Sequence, residues 1–148
     1  MDLRKTLYEQ CLAYAEARIK AAQEAMQLAQ EAANAEEKSS AGDKYETGRA
    51  MAHLEKEKAF AQLAEGNKLK AALSKVEQGP TSKVALGSVV HTNTGNYYLA
   101  ISAGKLIVAN KEYLALSPAS PLGAQFIGCT VGATITFQGK SILILAIE

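Results

Sequence analysis

The chain reads as α+β: an N-terminal antiparallel coiled-coil helical hairpin, then a small antiparallel β domain with one short helix. Three observations lead there. A heptad seam runs through the first third, composition breaks at Gly79-Pro80, and short strand-like runs separated by turn signals fill the rest. The division expected is 1–78 for the hairpin, with its tip at 39–48, and 83–148 for the β domain. The segment between them is a possible hinge.

The seam is Tyr8, Leu12, Ala15, Ile19, Ala22, Met26, Ala29 and Ala33, a 4-3-4-3 spacing. Glu9, Glu16, Lys20 and Glu24 stand between and can face water. Its alanines allow a partner backbone to approach closely, and Ala, Glu, Gln and Lys favour helix. Ser39-Ser40-Ala41-Gly42 supplies stop chemistry. A second helix is expected from 43–45 onward, with a rougher seam of Ala52, Ala59, Leu63, Gly66, Leu69, Leu73 and Val76. Gly66 weakens it unless a close contact requires the glycine. At about 1.5 Å per residue each helix spans roughly 50 Å.

From Pro80 onward the chain holds all three prolines and few charges. Strands are expected at 84–92, 97–102, 105–109, 113–116, 134–137 and 141–147, with a short helix at 122–127. Short connections favour antiparallel pairing. The last run, SILILAI, is apolar enough to be central and buried.

Composition excludes several classes. A net charge of +1 lacks the basic excess of a general nucleic-acid binder, which leaves at most weak DNA contact. No apolar run reaches the ~20 residues of a membrane span, and the charged N-terminus lacks a signal-peptide core. A cytoplasmic protein is expected. Cys11 and Cys129 are expected as free thiols rather than a disulfide.

Candidate chemistry is sparse. His53 and His91 lie apart and read as surface or packing residues. No Cys/His/Asp/Glu cluster has zinc spacing. Tyr97-Tyr98 is expected to send one side chain inward and one outward. Asp43 and Glu46 stand between the helices, flanked by Gly42 and Gly48. The plain reading is a helix start, with Asp43 as N-cap and Glu46 at N3. The chemical reading is a pair of hard oxygen ligands that holds Mg²⁺ once other carboxylates or phosphate complete the shell.

Four segments carry a family resemblance. Gly42-Asp43-Lys44-Tyr45-Glu46 resembles the G-D-x-x-E tip of the Gre transcript-cleavage factors (GreA/GreB) of bacterial RNA polymerase. Ser120-Pro121-Leu122-Gly123-Ala124-Gln125-Phe126-Ile127-Gly128 is similar to their S-P-[IL]-A-x-x-[IL]-[IL]-G segment. Gly87-Ser88-Val89-Val90 resembles the G-x-x-V strand opening their globular domain, and Val131-Gly132 follows at the family's distance.

The resemblance implies an FKBP-like C-terminal domain that docks at the rim of the polymerase secondary channel while the hairpin enters it. It implies a transcription elongation factor that is not itself an enzyme but stimulates the polymerase's own cleavage of backtracked RNA. Asp43 and Glu46 would then be the catalytic acids and would hold Mg²⁺ jointly with the polymerase. Ser120, Pro121, Leu122 and Phe126 would lie near the docking surface, and Lys38, Lys44 and Arg49 near the RNA. The partner is RNA polymerase, the RNA 3′ end is met indirectly, no membrane is involved and a monomer is expected.

The tip departs from the family where Thr47-Gly48-Arg49-Ala50 follows the second acid in place of N-A-E-Y. A secondary-channel regulator that does not cleave, and an unrelated coiled-coil interaction module, therefore remain alternatives. An isolated prolyl isomerase is a weaker one, because no aromatic proline pocket is evident.

Overall fold

The protein is α+β, with a long N-terminal helical region followed by a six-stranded mixed sheet. The computed structural model describes residues 2–37, 42–77, 79 and 81–148; the side chains of residues 36, 37 and 42–46 lie outside this description. By packing, the chain divides into two compact units, Ala15–Lys70 and Met1–Tyr14 with Ala71–Glu148. The composition break at Gly79-Pro80 separates helix from strand; the packing division falls inside the helices. The expected hinge includes Gln78 and Pro80, which lie outside the described residues.

Two helices make up the first region. Helix α1 is Leu3–Glu37, 35 residues without Gly or Pro. Helix α2 is Gly42–Leu73, and it continues through both Gly48 and Gly66.

Within the unit Ala15–Lys70, every seventh residue of the seam is small and buried: Ala15, Ala22 and Ala29 on α1, and Ala52, Ala59 and Gly66 on α2. Three contacts give the direction of pairing. Glu16 meets Lys70 at 3.7 Å, Ile19 lies against Gly66, and Lys56 Nζ donates to Gln30 Oε1 at 2.7 Å. Partners descend α2 as α1 ascends, so the helices are antiparallel. A β-carbon on Gly66 would stand 2.8 Å from Ile19 Cγ1 and 3.3 Å from the Ile19 backbone nitrogen. The glycine thus permits the approach that the seam's alanines begin.

The first turns of α1 depart from the expected seam. Leu7 and Cys11 are fully buried, whereas Tyr8 and Leu12 are half-buried. The reason is a second neighbour: here α1 packs within the β unit. Gln10 Nε2 donates to the Ile107 carbonyl at 3.1 Å, and Arg4 donates to the carbonyls of Gly87, Gly79 and Glu77 at 2.9, 2.7 and 2.6 Å. One guanidinium therefore gathers three backbone acceptors from the stretch between α2 and the sheet.

The β unit contains β1 (Val89–Thr92), β2 (Gly95–Leu99), β3 (Gly104–Val108), β4 (Lys111–Leu116), helix α3 (Pro121–Phe126), β5 (Thr134–Phe137) and β6 (Lys140–Ile147). Their spatial order is β3-β4-β2-β1-β6-β5. Four neighbouring pairs are antiparallel, but β2 and β4 run parallel. Short connections did not forbid this, because β3 itself serves as the crossover, lying at the edge beyond β4.

Alternation divides the sheet into two faces. On one face Val90, Leu99, Ile142 and Ile144 pack with Val84 and with Leu122 and Phe126 of α3. The SILILAI run is only half buried: Ile142 and Ile144 are in the core, while Leu143 and Leu145 are 36% and 54% exposed. β6 is interior in order but bare on one side, so the apolar run does not mean two covered faces. Residue 84 does not extend β1. Instead Val84 exchanges backbone bonds with the turn after α3, at Gly128 and Cys129 (2.8 and 2.9 Å).

Both cysteines are free, Cys11 buried and Cys129 half-buried. Burial pushes the Cys11 thiol from 9.0 up to about 12. Among the described residues no helix is long and apolar enough to cross a membrane.

Two outcomes follow from this packing. Gly66→Leu should cost about 1–3 kcal/mol through overpacking against Ile19; a thermal melt with an unchanged or higher midpoint would contradict the close approach. Because the Cys11 value is raised on folding, its stabilisation is fully present below pH 9.0 and is lost as pH rises toward about 12. In urea melts the advantage of the native chain over Cys11→Ala should therefore shrink above pH 9 and stay constant below it.

Candidate functional site

Helix α2 begins at Gly42, five positions after α1 ends at Glu37. Asp43 therefore lies in the first turn of α2, and Glu46 one turn in from its start. Asp43 is inside the helix rather than at its cap, two positions deeper than the sequence suggests. Residues three apart share a helix face, about 4.5 Å apart along the axis. The unpaired N–H groups of a first turn favour negative charge there.

This backbone placement brings the two acids together without requiring any other element. Their side chains, that of Lys44, and the whole of Lys38 lie outside the described residues. Of the other tip residues, Thr47, Arg49 and Ala50 are exposed, and Gly48 is half-buried. Gly48 does not break the helix. It lines an open groove between the helices with Ala29, Ala32 and Ala52.

The donor chemistry is of one kind. Carboxylate oxygens three positions apart suit a hard cation such as Mg²⁺, which is satisfied by one or two carboxylates when other ligands complete its shell. Among the described residues no group of three or more His, Cys, Asp or Glu side chains could hold a metal. His53 pairs with Glu57 at 3.2 Å on the exposed surface of α2. His91 contacts Asn96 at 2.9 Å and Glu148 at 2.5 Å, with the Tyr113 ring edge-on at 6.4 Å. The two histidines do not meet, and each is engaged locally.

Tyr98 is buried at 1% exposure, and burial raises its phenol above the usual value. Tyr97 is half-buried on the opposite face, its ring 5.0 Å from Phe126. The two rings take opposite faces, as strand alternation requires, but Tyr97 packs against the α3 core instead of pointing outward.

The 120–128 segment corrects part of the site reading. Ser120 caps α3: its Oγ accepts from the Gly123 N–H at 3.1 Å and donates to the Ser117 carbonyl at 2.6 Å. Pro121 opens the helix, where a missing N–H costs nothing. Leu122 and Phe126 are 9% and 0% exposed, packed into the core. They are not docking side chains; their spacing fixes α3 to the sheet. Pro121, Ala124, Gln125, Ile127 and Gly128 are the exposed residues of this segment, and Gln125 and Ile127 were not singled out in the sequence.

Gly123 stands where the family pattern has alanine. A β-carbon there would fall 2.0 Å from the Ser117 carbonyl oxygen. The turn before α3 is therefore tighter than one that accommodates alanine.

The sequence reading also passed over Leu28 and Met51, which are 66% and 63% exposed on the helix pair. The available signal was apolar residues lying outside the heptad seam.

No protein-family model matches the chain, and no curated protein sequence matches it. Among solved structures, the GreA factor homolog 1 (Gfh1) protein of Thermus thermophilus aligns over 95% of this chain and 94% of its own. Identity is 25% and the TM-score 0.35. A superposition that loose transfers neither a fold nor a site.

The local geometry of α3 can be tested directly. Ser120→Ala should lower stability by about 1 kcal/mol, and Gly123→Ala should lower it further through the backbone clash. Denaturant midpoints for the two variants measure this; a neutral Gly123→Ala would contradict the tight turn.

Proposed function

We propose that this chain is a Gre-like transcription elongation factor that acts on RNA polymerase in trans. In this reading the helix pair is a coiled-coil hairpin that enters the polymerase secondary channel, and the β unit is an FKBP-like domain that docks outside it. The observation that carries the proposal is the pair of acids near the start of α2, a helix that begins five positions beyond the end of α1 and carries a seam built for close packing. The segments at 87–90 and 120–128 support it as sequence resemblances.

The role assigned to Asp43 and Glu46 is to contribute oxygen ligands to a shell that the polymerase begins. Mg²⁺ bound there would supply Lewis-acid activation of a water for phosphodiester hydrolysis. The chain alone offers too few ligands for such a site, so it would stimulate the polymerase's cleavage rather than catalyse alone. Lys44 and Arg49 would place positive charge near the RNA.

A second reading rests on Thr47-Gly48-Arg49-Ala50. These residues replace the polar and acidic continuation of the family tip, and Arg49 adds a cation one turn beyond Glu46. A chain that occupies the channel and alters transcription without efficient cleavage fits that substitution.

The experiment uses backtracked elongation complexes of the cognate polymerase, with Mg²⁺ and the full chain. RNA shortening should rise, and Asp43→Asn with Glu46→Gln should reduce the stimulated rate by about 100-fold or more while polymerase binding changes little. Binding with no gain in shortening would select the non-cleaving reading. Absence of binding would refute both.

A further inference from the structure

We propose that the flank of the helix pair bearing Leu28 and Met51 is a self-association face, and that a second copy of this chain packs on it with its helices reversed. A groove of about 480 Å³ runs along this flank between the helices. Ala25, Leu28 and Ala32 of α1 form one wall, and Gly48, Met51 and Glu55 of α2 the other. Leu28 and Met51 are both more than half exposed, an unusual cost for side chains of that size standing together in water.

On α1 the flank repeats at 21, 25, 28 and 32 as Ala, Ala, Leu and Ala. This is a second 4-3-4 spacing, separate from the inner seam that holds α2. Such spacing is filled by another helix, which sets a large side chain into a hole between small ones.

Charge selects the occupant and its direction. Lys20 and Glu31 line the same outer crevice of α1 as Leu28. They stand eleven positions apart, three turns, on one face. Neither forms an ion pair with a described residue; Glu31 accepts only from Gln27 Nε2, at 3.2 Å.

A second α1 reversed about a point between Ala25 and Met26 sets Lys20 opposite Glu31 of the second copy, and symmetry makes that contact twice. The same reversal brings Leu28 opposite position 23 of the other copy, between its Ala21 and Ala25. A parallel copy would oppose Lys20 to Lys20 and Glu31 to Glu31. The association stands without the transcriptional reading; only its consequence, that a covered helix pair is withheld from a channel, rests on that reading.

Sedimentation equilibrium of the full chain, at low and high salt, tests the proposal. A dimer is expected, weakened by salt. Leu28→Glu should raise its dissociation constant at least about tenfold, with helicity by circular dichroism unchanged because the site is exposed. Lys20→Glu should weaken it roughly tenfold, and Lys20→Glu with Glu31→Lys should restore it to within about threefold.

A monomer across the accessible concentration range would overturn the proposal, as would a dimer indifferent to Leu28→Glu or a charge swap that fails to restore. A monomer in which Leu28→Glu instead weakens polymerase binding would overturn it and assign the flank to that partner.

Discussion

The small residue at every seventh position of both long helices constrains what the helix pair can be. With only methyl groups and one hydrogen at Ala15, Ala22, Ala29, Ala52, Ala59 and Gly66, the two backbones close on each other and bury little apolar volume. A pair so packed is narrow, and it holds its register by small complementary contacts such as Ile19 on Gly66. Larger seam residues would stabilise a wider pair. The narrowness suits an element that enters a confined space, and it also leaves Leu28 and Met51 no interior to occupy.

That register bears on the acids. Glu16 with Lys70, Ile19 with Gly66 and Gln30 with Lys56 keep one alignment over the described length of the pair. Helix α2 begins at Gly42. Asp43 and Glu46 then fall near the start of that helix by position alone, Asp43 among the unpaired N–H groups that favour negative charge. No tertiary contact is needed to explain why two carboxylates occur together there. Capping and metal assistance draw on the same placement, and a partner that brings further ligands separates them.

Much of this was legible in the sequence because the period of 3.5 is a direct print of helix pairing. The inner seam from Ala15 onward and the second seam from Ala52 both correspond to buried or half-buried positions. The seam failed at Tyr8 and Leu12, where α1 acquires the sheet as a second neighbour and turns Leu7 and Cys11 inward. Strand positions were legible from alternation, but partners were not. The parallel β2–β4 pair depends on β3 lying at the edge, which no local pattern encodes. The SILILAI run misled because residue type does not say whether a face is covered.

The candidate site was legible unevenly for the same reason. Position along a helix follows from spacing, which places Asp43 beside Glu46. Exposure does not, and so Leu122 and Phe126 read as surface residues when their i, i+4 spacing serves the core. A photo-crosslinker attached at Lys44→Cys in a Cys129→Ser background, with buried Cys11 left in place, tests the central claim most directly. In complexes with the cognate polymerase, the crosslinks should map to peptides beside the catalytic Mg²⁺. Crosslinks confined to the outer surface of the polymerase, or none from a chain that still binds, would contradict a helix pair that carries its acids into the channel.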